Sequence, residues 1–238
     1  AKNVSENQKV VLSGQGADEV FGGYFWYEQI NNDDTQSDID VFAKYYFDRN
    51  NDNYSQAFNS DFISDNFTYH HIKNIFKSMD SDLALLDKVF RLELSMLIID
   101  DPVKRIDNMT MAHSLETRVP FLDIDLVSYL LSIKGEMKIQ NESKYYLKKI
   151  SESYLDQDII YRDKFYFPVP PLKVIKDKFY DYCKNILTSD KAISRNIYSS
   201  NYIDNLLRNP NNNFTKLNGN ELWHFTLFER WLQLNIEE

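Results

Sequence analysis

The sequence contains a single cysteine, six glycines, six prolines and no long apolar run. One cysteine, Cys183, excludes an intrachain disulfide framework and is typical of a reducing compartment, so we expect a cytoplasmic protein. No apolar stretch approaches the roughly 18 residues that a membrane-spanning helix needs, and no signal peptide opens the chain. We therefore expect no association with a membrane.

An excess of basic residues is also missing. The chain has 27 Lys and Arg against 36 Asp and Glu, which gives a formal net charge of −9. Without basic clusters, this charge argues against binding of nucleic acid. The 238 residues, 43% of them hydrophobic, can bury a sizeable core, and the 16 Tyr and 16 Phe predict that this core is rich in aromatic rings.

The few glycines are concentrated near the N-terminus. Four of the six lie in the segment Val10-Val-Leu-Ser-Gly-Gln-Gly-Ala-Asp-Glu-Val-Phe-Gly-Gly-Tyr24. The short β-branched run Lys9–Leu12 predicts a buried strand. Ser13 to Gly16 predict a tight turn, because glycine accepts backbone angles that other residues avoid. A helix is then expected from Ala17 to about Ile30.

This order of strand, glycine turn and helix presents free backbone N–H groups that can bind phosphate or ribose oxygens. Asp18 lies in the first helical turn, where a carboxylate could hold Mg²⁺ beside the phosphates. The helix dipole alone also favours an acid at this position. From these residues by themselves, a nucleotide site and an ordinary strand-to-helix turn are equally supported.

Strand patterns are scarce in the rest of the chain. Leucines, phenylalanine and isoleucine at helical spacing predict a buried helix over Ser81–Ile99, and a second helix is expected to begin at Asp100-Asp-Pro102 and run to about His113. The predicted fold is predominantly α-helical with one N-terminal strand, which would be the last strand of a parallel sheet. Further helices are expected at 42–47, at 144–154 and at 217–235. Another should begin at a cap formed by Asp123 or Asp125 and run to 131, and another should begin at Pro170-Pro171 and include Cys183.

Three segments together resemble the asparagine synthetases. Ser13-Gly-Gln-Gly-Ala-Asp-Glu-Val-Phe-Gly-Gly-Tyr24 is similar to the family's S-G-E-G-[SA]-D-E-x-[FL]-G-G-Y. Asp107-Asn-Met-Thr-Met-Ala-His-Ser-Leu-Glu-Thr-Arg-Val-Pro-Phe-Leu-Asp123 resembles D-x-M-x-M-A-H-S-x-E-x-R-V-P-F-L-D. Arg162-Asp-Lys-Phe-Tyr-Phe-Pro168 resembles R-x-K-x-G-F-x-x-P. The segments lie in the family's order and span residues 9–168.

The resemblance implies a parent domain of the α/β, Rossmann-like ATP-pyrophosphatase type. It implies an ATP-dependent ligase that forms asparagine from aspartate through a β-aspartyl-AMP intermediate, with ammonia released from glutamine. The family's S-G-G-x-D-S pyrophosphate loop and its N-terminal glutaminase cysteine have no counterpart in residues 1–238. We therefore expect 1–238 to be the C-terminal portion of such a synthetase domain, inactive without the N-terminal part of the same protein.

The same resemblance implies roles for individual residues. Ser13, Gly14 and Gly16 would contact the nucleotide, and Asp18 would lie near the pyrophosphate and its Mg²⁺. Lys164 would stabilise the negative charge that grows on the phosphate during adenylation.

Gln15 departs from the glutamate of many family members. A neutral amide cannot accept a proton at physiological pH, so Gln15 is expected to orient a substrate and not to act as a base.

The second segment is expected to be mainly structural. His113 is predicted to be a buried, hydrogen-bonded residue, and Asp123 a helix cap. Glu116 and Arg118 are predicted to pair with each other or to brace the loop that follows. Met109 and Met111 are expected to pack in the core, whereas Lys104 and Arg105 could face phosphate or solvent.

ATP and Mg²⁺ are the expected cofactors, and aspartate and ammonia the expected small-molecule substrates. Two other functions stay open at this stage. A related enzyme could adenylate a different carboxylate to close a ring or form another amide, or the chain could be a non-catalytic remnant that binds a partner. A homodimer is compatible with the sequence, which does not identify an oligomeric state.

Overall fold

The structure, a computed structural model, describes residues 1–35, 37–140, 142–163 and 174–236. Most of these residues are helical, as expected. The described elements are, in chain order, α1 Lys2–Ser5, β1 Val10–Leu12, α2 Ala17–Phe21, α3 Trp26–Asn31, α4 Asp38–Tyr46, α5 Asn51–Ala57, α6 Phe67–Ser78, α7 Leu85–Leu92, α8 Lys104–Met111, β2 Glu116–Arg118, α9 Ile124–Leu131, α10 Gly135–Lys138, α11 Tyr145–Ser151, α12 Gln157–Ile160, α13 Asp177–Leu187, α14 Asp190–Arg195, α15 Ser200–Arg208 and α16 Glu221–Asn235.

The chain forms two compact units. The first consists of Ala1–Tyr45 and Tyr69–Asp163, and the second of Tyr46–Thr68 and the described part of Lys164–Glu238. In the first unit, the buried Val20 and Phe21 of α2 pack with Leu130 of α9. In the second, α13, α15 and α16 enclose a core that, among the described residues, has twelve buried members, including Cys183. No helix in the described ranges is long and apolar enough to cross a membrane.

The expectation of a single strand is wrong. β1 pairs in parallel with β2, in the register Val10↔Glu116, Val11↔Thr117 and Leu12↔Arg118. The three residues of β2 alternate charged and polar side chains and carry no apolar pattern, so no strand is predicted there from local sequence. β1 is also less buried than predicted, since Leu12 is 70% exposed.

Glycine breaks the helix that was expected over 17–30. Gly22 adopts a left-handed conformation with φ 74° and ends α2, and Gly23 N–H donates to the Asp18 carbonyl at 2.8 Å. This 6→1 hydrogen bond and the left-handed residue are the features of a Schellman cap. The chain turns before it re-enters a helix at α3.

The two helices expected over 81–99 and from 100 onwards form instead one continuous helical segment, from Leu85 to Met111. Between α7 and α8 the backbone makes two π-helical turns, Glu93–Leu97 and Ile99–Val103. Pro102 lies in the second of these turns. Because proline lacks an N–H and collides with the preceding turn of a regular α-helix, a wider turn accommodates it without ending the helix.

Candidate functional site

The glycine turn extends the β1–β2 pairing by one residue. Ser13 N–H donates to the Arg118 carbonyl at 2.9 Å, which fixes the start of the turn. Gly16 has φ 91° and is buried, and a Cβ built on it would lie 2.4 Å from Cδ2 of Leu122. A Cβ on Gly14 would meet no atom within 4 Å, and the residue is exposed. The outer part of the turn is therefore open, and its inner part requires glycine.

The pairing of β1 with β2 brings two of the three family-like segments together. Leu12 precedes the glycine turn and is paired with Arg118, near the end of the second segment. Gln15 is half-buried at the middle of the turn. The helix α2 follows directly and has only five residues. The electrostatic field at its N-terminus therefore comes from the peptide dipoles of little more than one helical turn.

Asp18 forms an ion pair that sequence reasoning missed. Its Oδ2 lies 3.0 Å from Nζ of Lys144, and both side chains are only about a quarter exposed. Lys144 precedes α11 in a left-handed conformation with φ 57°, and its N–H donates to the Gly22 carbonyl at 3.2 Å. No motif marked Lys144, because its approach to Asp18 depends on tertiary packing.

Gly23 makes room for this ion pair. A Cβ on Gly23 would lie 2.1 Å from Oδ1 of Asp18 and 2.3 Å from Cε of Lys144. Any side chain at this position would displace one of the two charged groups. The Gly22-Gly23 pair therefore both ends α2 and leaves space for the ammonium group of Lys144 beside Asp18.

Two further carboxylates of the first unit are buried. Glu19 and Glu93 are 5% and 3% exposed, and each accepts a hydrogen bond from a tyrosine hydroxyl: Tyr24 to Glu19 at 2.7 Å, and Tyr27 to Glu93. Burial and the hydrogen bond to Glu19 raise the pKa of Tyr24 far above its ordinary value. The tyrosine stays protonated at physiological pH, so these pairs brace α2 and α3.

Two predictions for the second family-like segment, residues 107–123, are confirmed. Asp123 caps α9 as predicted, since its Oδ1 accepts from the N–H groups of Asp125 and Leu126. Nε of Arg118 lies 2.9 Å from Oε1 of Glu116, so the predicted pairing is confirmed.

Three other predictions for this segment are wrong. His113 is exposed, because α8 has already ended and the chain makes an open turn there. Met109 and Met111 are 63% and 52% exposed, so neither fills the core.

The basic candidates contribute little to this site. Lys104 and Arg105 are exposed, and Arg105 pairs with Asp101 of the preceding turn at 3.4 Å. This arrangement fits the solvated alternative. Lys164, the predicted catalytic lysine, lies outside the described residues, and the neighbouring Arg162 is exposed.

Mg²⁺ fits this site in a restricted way. Over the described residues, no group of three or more His, Cys, Asp or Glu side chains could hold a metal ion. Mg²⁺ often needs only one or two carboxylates, with phosphate oxygens and water as its other ligands. Asp18 can supply one such carboxylate, and the remaining ligands would come from a bound phosphate and solvent.

Comparison with known proteins agrees with the three segments. Residues 1–233 match the family model for asparagine synthase. Glutamine-hydrolyzing asparagine synthetase 1 of Bacillus subtilis (strain 168) is 26% identical over 270 aligned residues, which cover 100% of this chain and 42% of that protein. Glutamine-hydrolyzing asparagine synthetase 3 of the same organism is 25% identical and covers 90% of this chain and 35% of that protein.

A putative glutamine-hydrolyzing asparagine synthetase 1 of Methanocaldococcus jannaschii is 30% identical over 57% of this chain. The chain spans less than half the length of these relatives. Because the family model covers nearly the whole chain, the chain belongs to the asparagine synthase family.

Proposed function

We propose that the protein is part of an ATP-dependent ligase that converts aspartate to asparagine, with ammonia derived from glutamine. Family membership supports the reaction class, and the share of the relatives that is matched supports a portion of a longer protein. The observation that carries the proposal is the arrangement around the glycine turn. An open backbone turn there is followed by a carboxylate and a lysine in contact.

In the proposed reaction, a carboxylate oxygen of the aspartate side chain attacks the α-phosphorus of ATP, and pyrophosphate leaves. Ammonia then attacks the acyl carbon, AMP leaves with the bonding electrons, and the nitrogen loses a proton. The protein's main contributions are to hold the reactants in line and to balance negative charge on the phosphates.

The exposed Gly14 and the half-buried Ser13 would contact the nucleotide, and buried Gly16 would hold the turn in shape. Asp18 would bind Mg²⁺, which when bound neutralises charge on the pyrophosphate. Lys144 already lies beside Asp18, and we propose that it supplies a second positive charge to the same phosphates. Gln15 would orient a substrate through its amide, and Lys164 would stabilise the adenylation transition state.

The experiment that tests this function uses the full-length protein that contains this chain, with aspartate, ATP, an ammonia source and Mg²⁺. We expect aspartate-dependent release of pyrophosphate. Asp18→Asn should raise the Mg²⁺ concentration needed for half-maximal rate by at least about tenfold, because a metal ligand loses its charge. The matched control is Glu116→Gln, which removes an equal charge from an exposed carboxylate paired with Arg118.

Other outcomes would identify the rival functions. Pyrophosphate release with a different carboxylate, and none with aspartate, would indicate a related amide- or ring-forming enzyme. No release with any carboxylate would indicate a non-catalytic remnant. For the isolated chain 1–238 we expect no pyrophosphate release above that of a Lys164→Ala control.

A further inference from the structure

A polar cleft lies in the first unit, and its lining includes no residue of the glycine turn. It has a volume of about 450 Å³, and it is lined by the start of α4, the C-terminal half of α6, the loop after α6, and α7. Its lining includes Ser37, Asp38, Lys73, Lys77, Ser81 and Lys88. The buried side chains of Ile39 and Phe76 contribute apolar surface.

The cleft is lined by three ammonium groups and one carboxylate, in a chain whose net charge is −9. Lys73 and Lys77 are one helical turn apart on α6 and both line the cleft. Like charges at this spacing destabilise a helix by a few tenths of a kcal/mol unless something neutralises them. An acidic protein that gathers three lysines around one cavity has a local field suited to an anion.

Lys88 is the most buried of the three lysines, at 9% exposure. Its Nζ donates to Oδ2 of Asp38 at 2.7 Å, which balances the only carboxylate of the described lining. An ammonium group has three N–H donors, so two remain for a ligand. Among the described lining residues, Lys73 and Lys77 then carry positive charge that no lining carboxylate balances, although Asp40, outside the lining, attracts Lys73.

Nearby carboxylates are oriented to other partners. Asp40 accepts a hydrogen bond from the Tyr69 hydroxyl at 2.7 Å, and Asp80 accepts one from the Asp82 N–H at 3.0 Å. Neither of these acids, nor Asp82, is part of the described lining. The hydroxyl groups of Ser37 and Ser81, which do line the cleft, donate to the carboxylates of Asp40 and Asp82. Each hydroxyl would have to rotate away from its carboxylate to donate to a ligand oxygen.

We propose that this cleft binds a small phosphate-bearing anion, held by Lys73, Lys77 and Lys88. Inorganic phosphate and a phosphate ester share the chemistry that these groups recognise. The volume exceeds that of a phosphate group alone, and the apolar side of the cleft suits the carbon part of an ester. The site is separate from the nucleotide site proposed above and does not depend on it.

The test is a titration of the ¹⁵N-labelled chain with inorganic phosphate, and in parallel with phenyl phosphate, at constant ionic strength kept with chloride. We expect saturable shifts of the amide signals of Ser37, Lys77 and Ser81. Tighter binding of phenyl phosphate would identify an ester as the preferred ligand, and equal binding would identify phosphate itself. Shifts confined to Ser13–Gly16, or shifts that do not saturate, would overturn the proposal.

Variants separate the cleft from general charge effects. Lys73→Gln with Lys77→Gln should weaken phosphate binding at least about tenfold, because two charge-assisted contacts are lost. Lys184→Gln with Lys191→Gln makes the same change of charge at exposed positions of α13 and α14 and should alter the dissociation constant less than twofold. Equal effects of the two double variants, with unchanged melting temperatures, would contradict a site in the cleft.

Discussion

Gln15 stands half-buried in the turn where many family members carry glutamate. The two side chains have nearly the same shape, but only the carboxylate can accept a proton at physiological pH. In the full-length protein we expect Gln15→Glu to keep ATP-dependent pyrophosphate release, and Gln15→Leu to impair the amide-forming step. Single-turnover measurements of adenylation and of asparagine formation separate the two steps. Wild-type behaviour of Gln15→Leu in both would exclude a role for this side chain.

Lys164 follows Arg162 and Asp163 and precedes three prolines in the sequence. The nearby prolines predict a loop, where loss of a lysine side chain leaves no core cavity, so we expect Lys164→Ala to change the free energy of unfolding by no more than about 0.5 kcal/mol. Loss of a charge directed at the transition state should raise the adenylation barrier by roughly 3–4 kcal/mol, or about 10²–10³ in rate.

The full-length protein is compared with and without this substitution, by melting temperature and by aspartate-dependent pyrophosphate release. A large fall in melting temperature would assign Lys164 a structural role. An unchanged rate together with an unchanged melting temperature would show that Lys164 has no part in adenylation.

At the scale of elements, the connection from β1 to α2 contains two glycines in contrasting environments. Gly16 has a positive φ, and a Cβ on it would collide with Leu122, whereas a Cβ on Gly14 would enter open space. Gly16→Ala should therefore destabilise the fold by about 2–3 kcal/mol, and Gly14→Ala should be neutral or stabilise it by up to about 1 kcal/mol. Denaturant unfolding of the two variants measures the difference.

A third variant separates the two causes of the destabilisation expected for Gly16→Ala, which are the collision with Leu122 and the strain of a positive φ. In a Leu122→Ala background the collision is removed, so the remaining effect of Gly16→Ala reports the backbone strain alone. If Gly16→Ala and Gly14→Ala have the same free energy of unfolding, the turn does not require the left-handed conformation.

Local sequence signals account for some of these elements and not for others. The strand β1, the turn after it and the cap at Asp123 depend on glycine, β-branched and aspartate preferences that act within a few residues, and all three were predictable. Pro102 was predicted to start a helix, because local rules do not show that the preceding helix can widen into a π turn and continue. Lys144 and β2 were missed because each is positioned by a partner far away in the sequence.

At the scale of the whole molecule, one buried lysine should make stability depend on pH. Lys138 of α10 is 1% exposed, and its Nζ lies 4.4 Å from the centre of the Phe90 ring. Burial lowers its pKa from 10.5 to about 8; the nearby Asp87 opposes this shift and Arg91 adds to it. Between these two values the unfolded chain keeps a proton that the folded chain has lost, so the free energy of unfolding rises with pH.

The titration of Lys138 should change the free energy of unfolding by roughly 3 kcal/mol, since each pKa unit corresponds to about 1.4 kcal/mol. Below pH 8 the penalty for the buried charge is fully present, and by pH 10.5 it has disappeared. Lys138→Met has no such charge, so its stability relative to the wild type should be highest at pH 7 and should fall by about that amount towards pH 10.5. Urea unfolding of both proteins across this range measures it, and a constant difference would show that Lys138 titrates normally.

The parallel pairing of Leu12 with Arg118 has a consequence for the order of folding. A contact that closes a loop of roughly 100 residues forms later than local helices, because the entropy of the whole loop must be lost first. During synthesis, the glycine turn leaves the ribosome well before the strand that fixes Ser13 has been made. The glycine turn should therefore acquire its final shape only after most helices of the first unit have formed. A chain interrupted before β2 would contain the glycine motif but would lack the geometry that β2 gives it.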